Sequence, residues 1–416
     1  MYKGDERMDL KANLYKYAKL VVEVGVNVQK DQIVVIRTPI EGASLARAMT
    51  ECAYKVGAKK VIVEYSDEQV AKLTYTYATE ETLGDFPIWE VKKYEELVAK
   101  NAAFISISAG DPDLLRDIDP NKIATAQKAS GKALTVFRKA VSSSEVCWCV
   151  VSMPTPAWSK KIFPDASEEE REALLWDKIF TAVRIYEEDP VEAWKMHTEN
   201  LGKKCAFLNG KNIKTLHYTA PGTDLMVELP KGHKWEGGGE HSMKGTYFVA
   251  NMPTEEIFTM PHKYGVNGTL KATKPLVFGG NLIEDFSFTF KEGKIVDFDA
   301  KVGKAVLEKL IETDEGASYL GEVAIVPVSS PVSKTNTIFF NTLFDENASC
   351  HFAIGSSYPT NIEGGVAMTE EELEAAGANT SITHNDFMVG SDELDIEATT
   401  HEGETFFVLK KGEWAF

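Results

Sequence analysis

QIVVIRTPIEGASLARAMTECAYKVGAKKVIVE, residues 32–64, sets the architecture of the first half of this chain. Gln32-Ile-Val-Val-Ile36 is a short apolar run that reads as a buried strand. Glu41 to Val56 has helical character and stops at Gly57, a residue suited to a helix C-cap. Lys60-Val-Ile-Val-Glu64 is a second strand. A strand, a helix and a strand in this order make a βαβ unit, and a crossover helix leaves its two strands parallel. Upstream, Asp9 to Gly25 places Leu10, Leu14, Tyr17 and Val21 at helical spacing. Downstream, Asp67 to Thr79 is the next helix, Phe104 to Ser108 a third strand and Glu145 to Val151 a fourth. The expectation is an N-terminal α/β domain with a mostly parallel sheet and helices on both faces.

Two more helices, Ser167 to Tyr186 and Pro190 to Leu201, lead to Gly202-Lys203-Lys204, and there the texture changes. Short alternating strands follow at 215–218, 225–229, 246–250, 283–291, 294–298 and 406–409, punctuated by Gly, Pro, Asn and Asp. Helices are expected at Lys301 to Thr313 and Thr369 to Ala375. The expected division is therefore 1–203, an α/β domain, and 204–416, a β-rich α+β domain.

Composition narrows the function. The 416 residues carry 45 Lys+Arg against 63 Asp+Glu, a formal charge of −18. Phosphate backbones are gripped by clustered cations, so nucleic acid is not an expected partner. No apolar run approaches the roughly 20 residues of a membrane span, and the N-terminal Met1 to Arg7 is charged rather than signal-like. Five cysteines scattered along the chain (Cys52, Cys147, Cys149, Cys205, Cys350) do not make a disulfide framework. A cytoplasmic protein with reduced thiols is the simpler reading.

Several familiar motifs fail. The first strand runs into Arg37-Thr-Pro-Ile-Glu-Gly42, without the G-x-G-x-x-G turn of a dinucleotide site. No Gly-Lys pair is followed by Ser or Thr, and no G-x-S-x-G occurs. His401-Glu402-Gly403-Glu404-Thr405 lacks the second histidine of H-E-x-x-H. Cys147-Trp-Cys149 has no second pair to complete a zinc site and reads as small apolar core. Gly237-Gly-Gly239 beside Trp235 reads as a loop, or as a place where a ligand approaches backbone.

What survives is a scatter of histidines and carboxylates in apolar surroundings. His384-Asn385-Asp386 lies in a strand-like segment, where residues i and i+2 share a face. His351 ends a polar loop and opens an apolar run, with Tyr358 seven residues on. Glu322 sits within Tyr319-Leu-Gly-Glu-Val-Ala-Ile-Val-Pro327. Glu255 and Glu256 are adjacent in Asn251 to Thr259, and the pattern leaves both open. Each taken alone also reads as a capped, solvated or core residue. Together, however, a buried carboxylate must be paired, hydrogen-bonded or metal-bound. Two Glu, two His and one Asp suit two divalent ions that activate water and polarise a carbonyl.

These segments resemble the metalloaminopeptidases that include aminopeptidase T, AmpS and PepS. The likeness runs through Lys16 to Asn27, Pro221-Gly-Thr-Asp-Leu225 with Trp235-Glu-Gly-Gly238, Asn251 to Thr259, Val266-Asn-Gly-Thr269, Gly321-Glu322, Asn341 to Gly355 and His384 to Ser391. Asn385 stands where an apolar residue is expected, and Leu394-Asp-Ile-Glu397 ends differently; neither touches a ligand position. The resemblance implies a C-terminal catalytic domain holding two divalent ions (Zn, Co, Mn or Mg) through Glu256, Glu322, His351, His384 and Asp386. It implies Tyr358 as a catalytic tyrosine, a homodimer, and release of N-terminal residues from peptides with a free amine; by the chemistry of the site, Glu322 is the carboxylate expected to carry the proton from water to the leaving amine. Two other readings remain: an amidohydrolase using the same ligands on a non-peptide amide, and a non-catalytic protein binding a small molecule at the carboxyl ends of its first-domain strands.

Overall fold

The computed structural model describes residues 9–278 and 281–416; the charged Met1 to Arg7 lies outside them. The chain forms two compact units. One takes in residues up to Met196 together with Gly239–Pro253, the other His197–Gly238 and Thr254–Phe416. The helix Pro190–Asn209 runs on through Gly202-Lys203-Lys204, where the sequence reading stops a helix and draws its boundary. A Cβ on Gly202 would meet nothing within 4 Å. The glycine therefore serves no turn here, and about 1 kcal/mol of lost helix propensity does not break a helix whose Trp194, Leu201 and Leu208 are buried.

In the first unit the strands Ile33–Pro39, Lys60–Ser66, Ala103–Ile107 and Trp148–Val151 form a four-stranded sheet in which every pair is parallel. Strand 33–39 is flanked by 60–66 on one side and 103–107 on the other. The helix Ala43–Lys55 packs on the first two strands. Helices Ile88–Ala99 and Thr135–Ser142 bring Tyr94, Leu97 and Phe137 against Val35 and Phe104. Cys147 and Cys149 are buried free thiols, held protonated by that burial, in keeping with the core reading.

The second unit is strand-rich and antiparallel. Its larger sheet runs from Leu276–Phe278 and Asn281–Lys291 through Ile213–Ala220 to the C-terminal strands. The smaller sheet has five strands in the order His384–Met388, His351–Gly355, Leu320–Ile325, Ile257–Thr259 and Glu236–Gly237. Alternation splits its central strands into two faces. Val323, Ile325, Phe352, Ile354 and Phe387 join one continuous core with the larger sheet and with Trp235 and Tyr218. Glu322, His351, Ala353, His384 and Asp386 occupy the opposite face.

Gly237 clarifies the glycine run beside Trp235. A Cβ there would collide with the Glu256 carbonyl and press on Ile257. The close approach is made by the neighbouring strand's backbone, not by a ligand, and it holds the edge strand against the residue that follows Glu256.

Candidate metal centre

Register builds the centre. On the smaller sheet, Glu322 lies opposite Ala353, and Ala353 opposite Asp386. Three neighbouring strands thus set a carboxylate, a methyl group and a carboxylate in one row. Two residues along the middle strand in one direction is His351; two in the other is Gly355, opposite His384. All these side chains share a face because strand periodicity is two. Ala353 and Gly355 are the floor, and small residues there leave the space above them to the long ones. Gly321 is required beside Glu322, since a Cβ on it would run into the Gly355 and Ser356 carbonyls. The register also shifts between Leu320 and Glu322, and such a bulge re-aims side chains. Glu256 arrives from the next strand over, one residue before Ile257–Thr259.

The side chains converge. His351 Nε2 lies 3.1 Å from Glu256 Oε2 and 3.6 Å from Glu322 Oε1. His384 Nε2 lies 3.3 Å from Glu322 Oε2 and 3.4 Å from Asp386 Oδ1. Two triads result, Glu256–Glu322–His351 and Glu322–His384–Asp386, each with donor atoms within 4.8 Å of one another. Glu322 belongs to both, one oxygen to each. Of the two adjacent glutamates, Glu255 turns away, its Oε2 3.6 Å from His197 Nε2. Its backbone N–H donates to Asn347 Oδ1 at 2.7 Å, fixing the loop that presents Glu256.

Both imidazoles are anchored from behind. His351 Nδ1 contacts the Ser349 carbonyl at 3.0 Å, and His384 Nδ1 the Ser356 carbonyl at 2.7 Å. A carbonyl only accepts, so each Nδ1 carries the proton and each Nε2 faces the carboxylates. This is the arrangement by which proteins orient metal-binding histidines.

Electrostatics say what is missing. Burial raises the Glu256 carboxyl, and His351 only partly offsets it. Burial also opposes ionisation of Glu322, but His351 and His384 outweigh it and hold the group down at about 2. Burial pulls His384 down, yet Asp386 and Glu322 lift it to about 11; His351 is driven well above its ordinary value by Glu256 and Glu322 against the same burial. A further carboxylate, Glu346, faces the cluster. Its carboxyl is forced well up by burial and then by the charges of Glu256 and Asp386. The carboxylates outnumber the imidazoles by two. Burying an ion without adequate compensation costs several kcal/mol, so the cluster is short of positive charge. Glu256 Oε2 is buried without a hydrogen bond, despite standing 3.1 Å from His351 Nε2. That carboxylate and the His351 imidazole both belong to the triad whose donor atoms lie within 4.8 Å of one another. Oxygen and nitrogen donors converging in this way fit divalent cations.

Tyr358 is 45% exposed. Its ring centroid lies 4.8 Å from that of His384 and 6.0 Å from that of Phe258. Burial of its hydroxyl end, followed by the charges of Glu322 and Asp386, raises the phenol far above its ordinary value. It is a neutral donor at working pH, and its hydroxyl makes no hydrogen bond among the described residues. The five expected ligands and the tyrosine are thus brought together. Glu346 is the residue that sequence reasoning passed over. The signal was present in Asp345-Glu346-Asn347, just ahead of Cys350-His351, but its direction depends on how the loop folds back over the sheet.

Comparison with known proteins gives a consistent result. A family model described as thermophilic metalloprotease (M29) matches residues 10–414. Aminopeptidase AmpS of Bacillus subtilis is 50% identical over 403 residues, 97% of this chain and 98% of that protein. Aminopeptidase T of Thermus thermophilus is 39% identical over 404 residues, 97% and 98%. Among solved structures, wild-type AmpT from Thermus thermophilus matches with a TM-score of 0.92 at 38% identity, covering 98% of this chain and 100% of that one.

Proposed function

The chain belongs to the thermophilic metalloprotease family M29 and is a metalloaminopeptidase, and from that premise we propose that it removes N-terminal residues from peptides at a centre of two divalent ions. The observation that carries the number two is Glu322, whose oxygens serve two triads at once. Glu256, His351 and Glu322 would hold one ion, and His384, Asp386 and Glu322 the other. Divalent cations in such a centre lower the pKa of water and polarise a carbonyl. Zn, Co, Mn and Mg all suit the mixed oxygen and nitrogen donors.

The chain's own groups supply the rest. Tyr358 donates its hydroxyl to the oxygen on which negative charge grows as the scissile carbonyl is attacked. A carboxylate takes the proton from water and returns it to the leaving amine. Glu322 was the expected carrier. A second reading is favoured by the geometry: both Glu322 oxygens are turned to imidazoles, whereas Glu346 makes no ion pair with either, and burial, then the charges of Glu256 and Asp386, raises its proton affinity against the opposing charge of His351. The surplus of carboxylates attracts the substrate's cationic α-amine, which accounts for cleavage at that end. The free, buried state of all five cysteines supports a reducing, cytoplasmic setting. A homodimer follows from the resemblance. Among the described residues, no helix is long and apolar enough to cross a membrane.

The test combines metal analysis with assays on aminoacyl chromogenic amides, free and N-acetylated. Chelation abolishes activity and Co, Zn or Mn restores it; two ions bind per chain; the acetylated substrate resists. Glu346→Gln keeps both ions and loses turnover if Glu346 carries the proton. Full activity after thorough demetallation, or cleavage of the blocked substrate, overturns the proposal.

A further inference from the structure

Phe258 lies in the strand Ile257–Thr259, two residues after Glu256. Register gives the side on which its ring stands. Phe258 is opposite Ala324, and Ala324 is opposite His351; cross-strand partners share a face. Its neighbour Ile257 points the other way and joins the core. The face that carries the candidate ligands therefore carries a phenylalanine as well. The other residues that these strands set on this face are the donors themselves, the small Ala324, Ala353 and Gly355, the edge residue Glu236, and Met388, which is buried.

The ring is placed beside the centre by its contacts. It meets Tyr358 edge to face, with centroids 6.0 Å apart and planes at 68°, a geometry that aromatic pairs favour. Tyr358 lies in turn against the His384 imidazole, centroid to centroid 4.8 Å. A band of three rings, Phe258, Tyr358 and His384, thus ends on one of the candidate ligands. Ala324 and Ala353 beneath are fully buried, whereas Phe258 is half-buried and Tyr358 more open still. The two rings are apolar surface that solvent reaches next to the donors. Sites for small ligands combine such aromatic walls with a few fixed polar groups.

We propose that Phe258, with the ring of Tyr358, forms the wall against which the side chain of the substrate's N-terminal residue packs, so that the enzyme favours large apolar first residues such as leucine over glycine. The inference rests on the metalloaminopeptidase reading. The carbonyl under attack and the free amine both belong to that first residue, and both are held at the centre. Its side chain leaves from the carbon between them, so it is confined to the immediate surroundings of the donors. The second residue is attached through the departing nitrogen and extends away from them. Tyr358 then has two separable parts, a hydroxyl that acts on turnover and a ring that acts on choice of substrate.

The experiment uses the metal-loaded enzyme and two pairs of substrates. Leucine and glycine p-nitroanilides vary the first residue; leucyl-leucine and leucyl-glycine vary the second. Wild type favours the leucine anilide by about tenfold or more in kcat/KM, the low end of what one methylene is worth in an apolar pocket. Phe258→Ala lowers that ratio by about tenfold and leaves the ratio between the dipeptides unchanged, and Phe258→Leu falls between. Tyr358→Phe keeps the wild-type anilide ratio although it turns over slowly. Metal content and melting temperature are read on the same samples. A ring that only props Tyr358 would lower turnover on every substrate alike. Equal losses throughout, no loss on any substrate, or a shift confined to the dipeptide ratio overturns the inference and leaves the peptidase reading intact. If Phe258→Ala does not fold, the wild type decides: equal rates on the two anilides overturn the inference. A wild type inactive on every substrate overturns the peptidase reading and this inference with it.

Discussion

Strand Ile33–Pro39 of the first unit and strand Leu320–Ile325 of the second both lie inside a sheet. In the first, Val34, Val35 and Ile36 are fully buried and apolar. In the second, every residue is buried, and one of them is Glu322. The same holds for His351–Gly355, buried throughout and opening on a histidine. Burying an apolar side chain stabilises by about 1.5–3 kcal/mol, whereas burying an uncompensated ion costs several. The parallel sheet therefore accounts for itself by packing. The smaller antiparallel sheet packs one face and leaves an electrostatic deficit on the other. That deficit, not burial as such, marks the candidate metal-binding face.

The contrast can be broken most sharply by exchanging one residue in each sheet. Glu322→Ala removes a donor from both triads; metal is lost and turnover falls by about 10³-fold or more, beyond the 10–100-fold typical of merely supporting residues. Ile105→Val, equally buried in the parallel sheet, costs about 0.5–1.5 kcal/mol of stability and leaves metal content unchanged. Metal analysis, kinetics and denaturant melts on both variants check the pair. A metal-replete Glu322→Ala protein would end the comparison.

Next in size is Tyr358→Phe. It keeps the ring against His384 and removes the hydroxyl, so turnover falls by about 10²–10³-fold with metal occupancy unchanged. A tyrosine serving only as loop packing would leave turnover near wild type.

The smallest effect is graded with pH. Metal uptake requires neutral imidazoles, and in the metal-free protein His384 holds its proton up to about pH 11. Uptake near neutrality thus releases protons, and affinity rises with pH by about tenfold per unit for each proton released. The same upward shift stabilises the metal-free fold fully below about 6.5, the ordinary histidine value, and is lost as pH climbs through about 11. Calorimetric titrations in two buffers of different ionisation enthalpy count the protons; a count of zero contradicts the assignment of both histidines.

The parallel sheet was legible because its strands are continuous apolar runs separated by helices. Less was legible between Thr79 and Glu145, where the sequence reading assigns a single strand and the structure adds helices at 88–99, 120–133 and 135–142. The helix 120–133 buries none of its residues, so it has no apolar stripe to announce it. His384 and Asp386 were legible as a pair from strand spacing. Joining them to Glu322, His351 and Glu256 took the resemblance, because register across three strands is not written in any one of them. Choosing Glu256 over Glu255 took the resemblance too; the contacts that occupy Glu255, with Asn347 and His197, join distant parts of the chain and are not written in the local sequence.

The alanine and glycine floor has a consequence for how such a chain tolerates change in length. The centre depends on parity: Glu322, Ala353 and Asp386 face one way only while each strand keeps its count. Adding or deleting one residue within 351–355 would turn His351 into the core and Phe352 out of it in a single step. The connections 326–350 and 356–383, which include short helices at 331–334, 342–345 and 370–375, lie between the strands and bear no such constraint on parity. Insertions and deletions along a lineage should gather in those connections, away from Glu346 and Tyr358, and spare five consecutive positions, a signature written in gaps and not in residue identity.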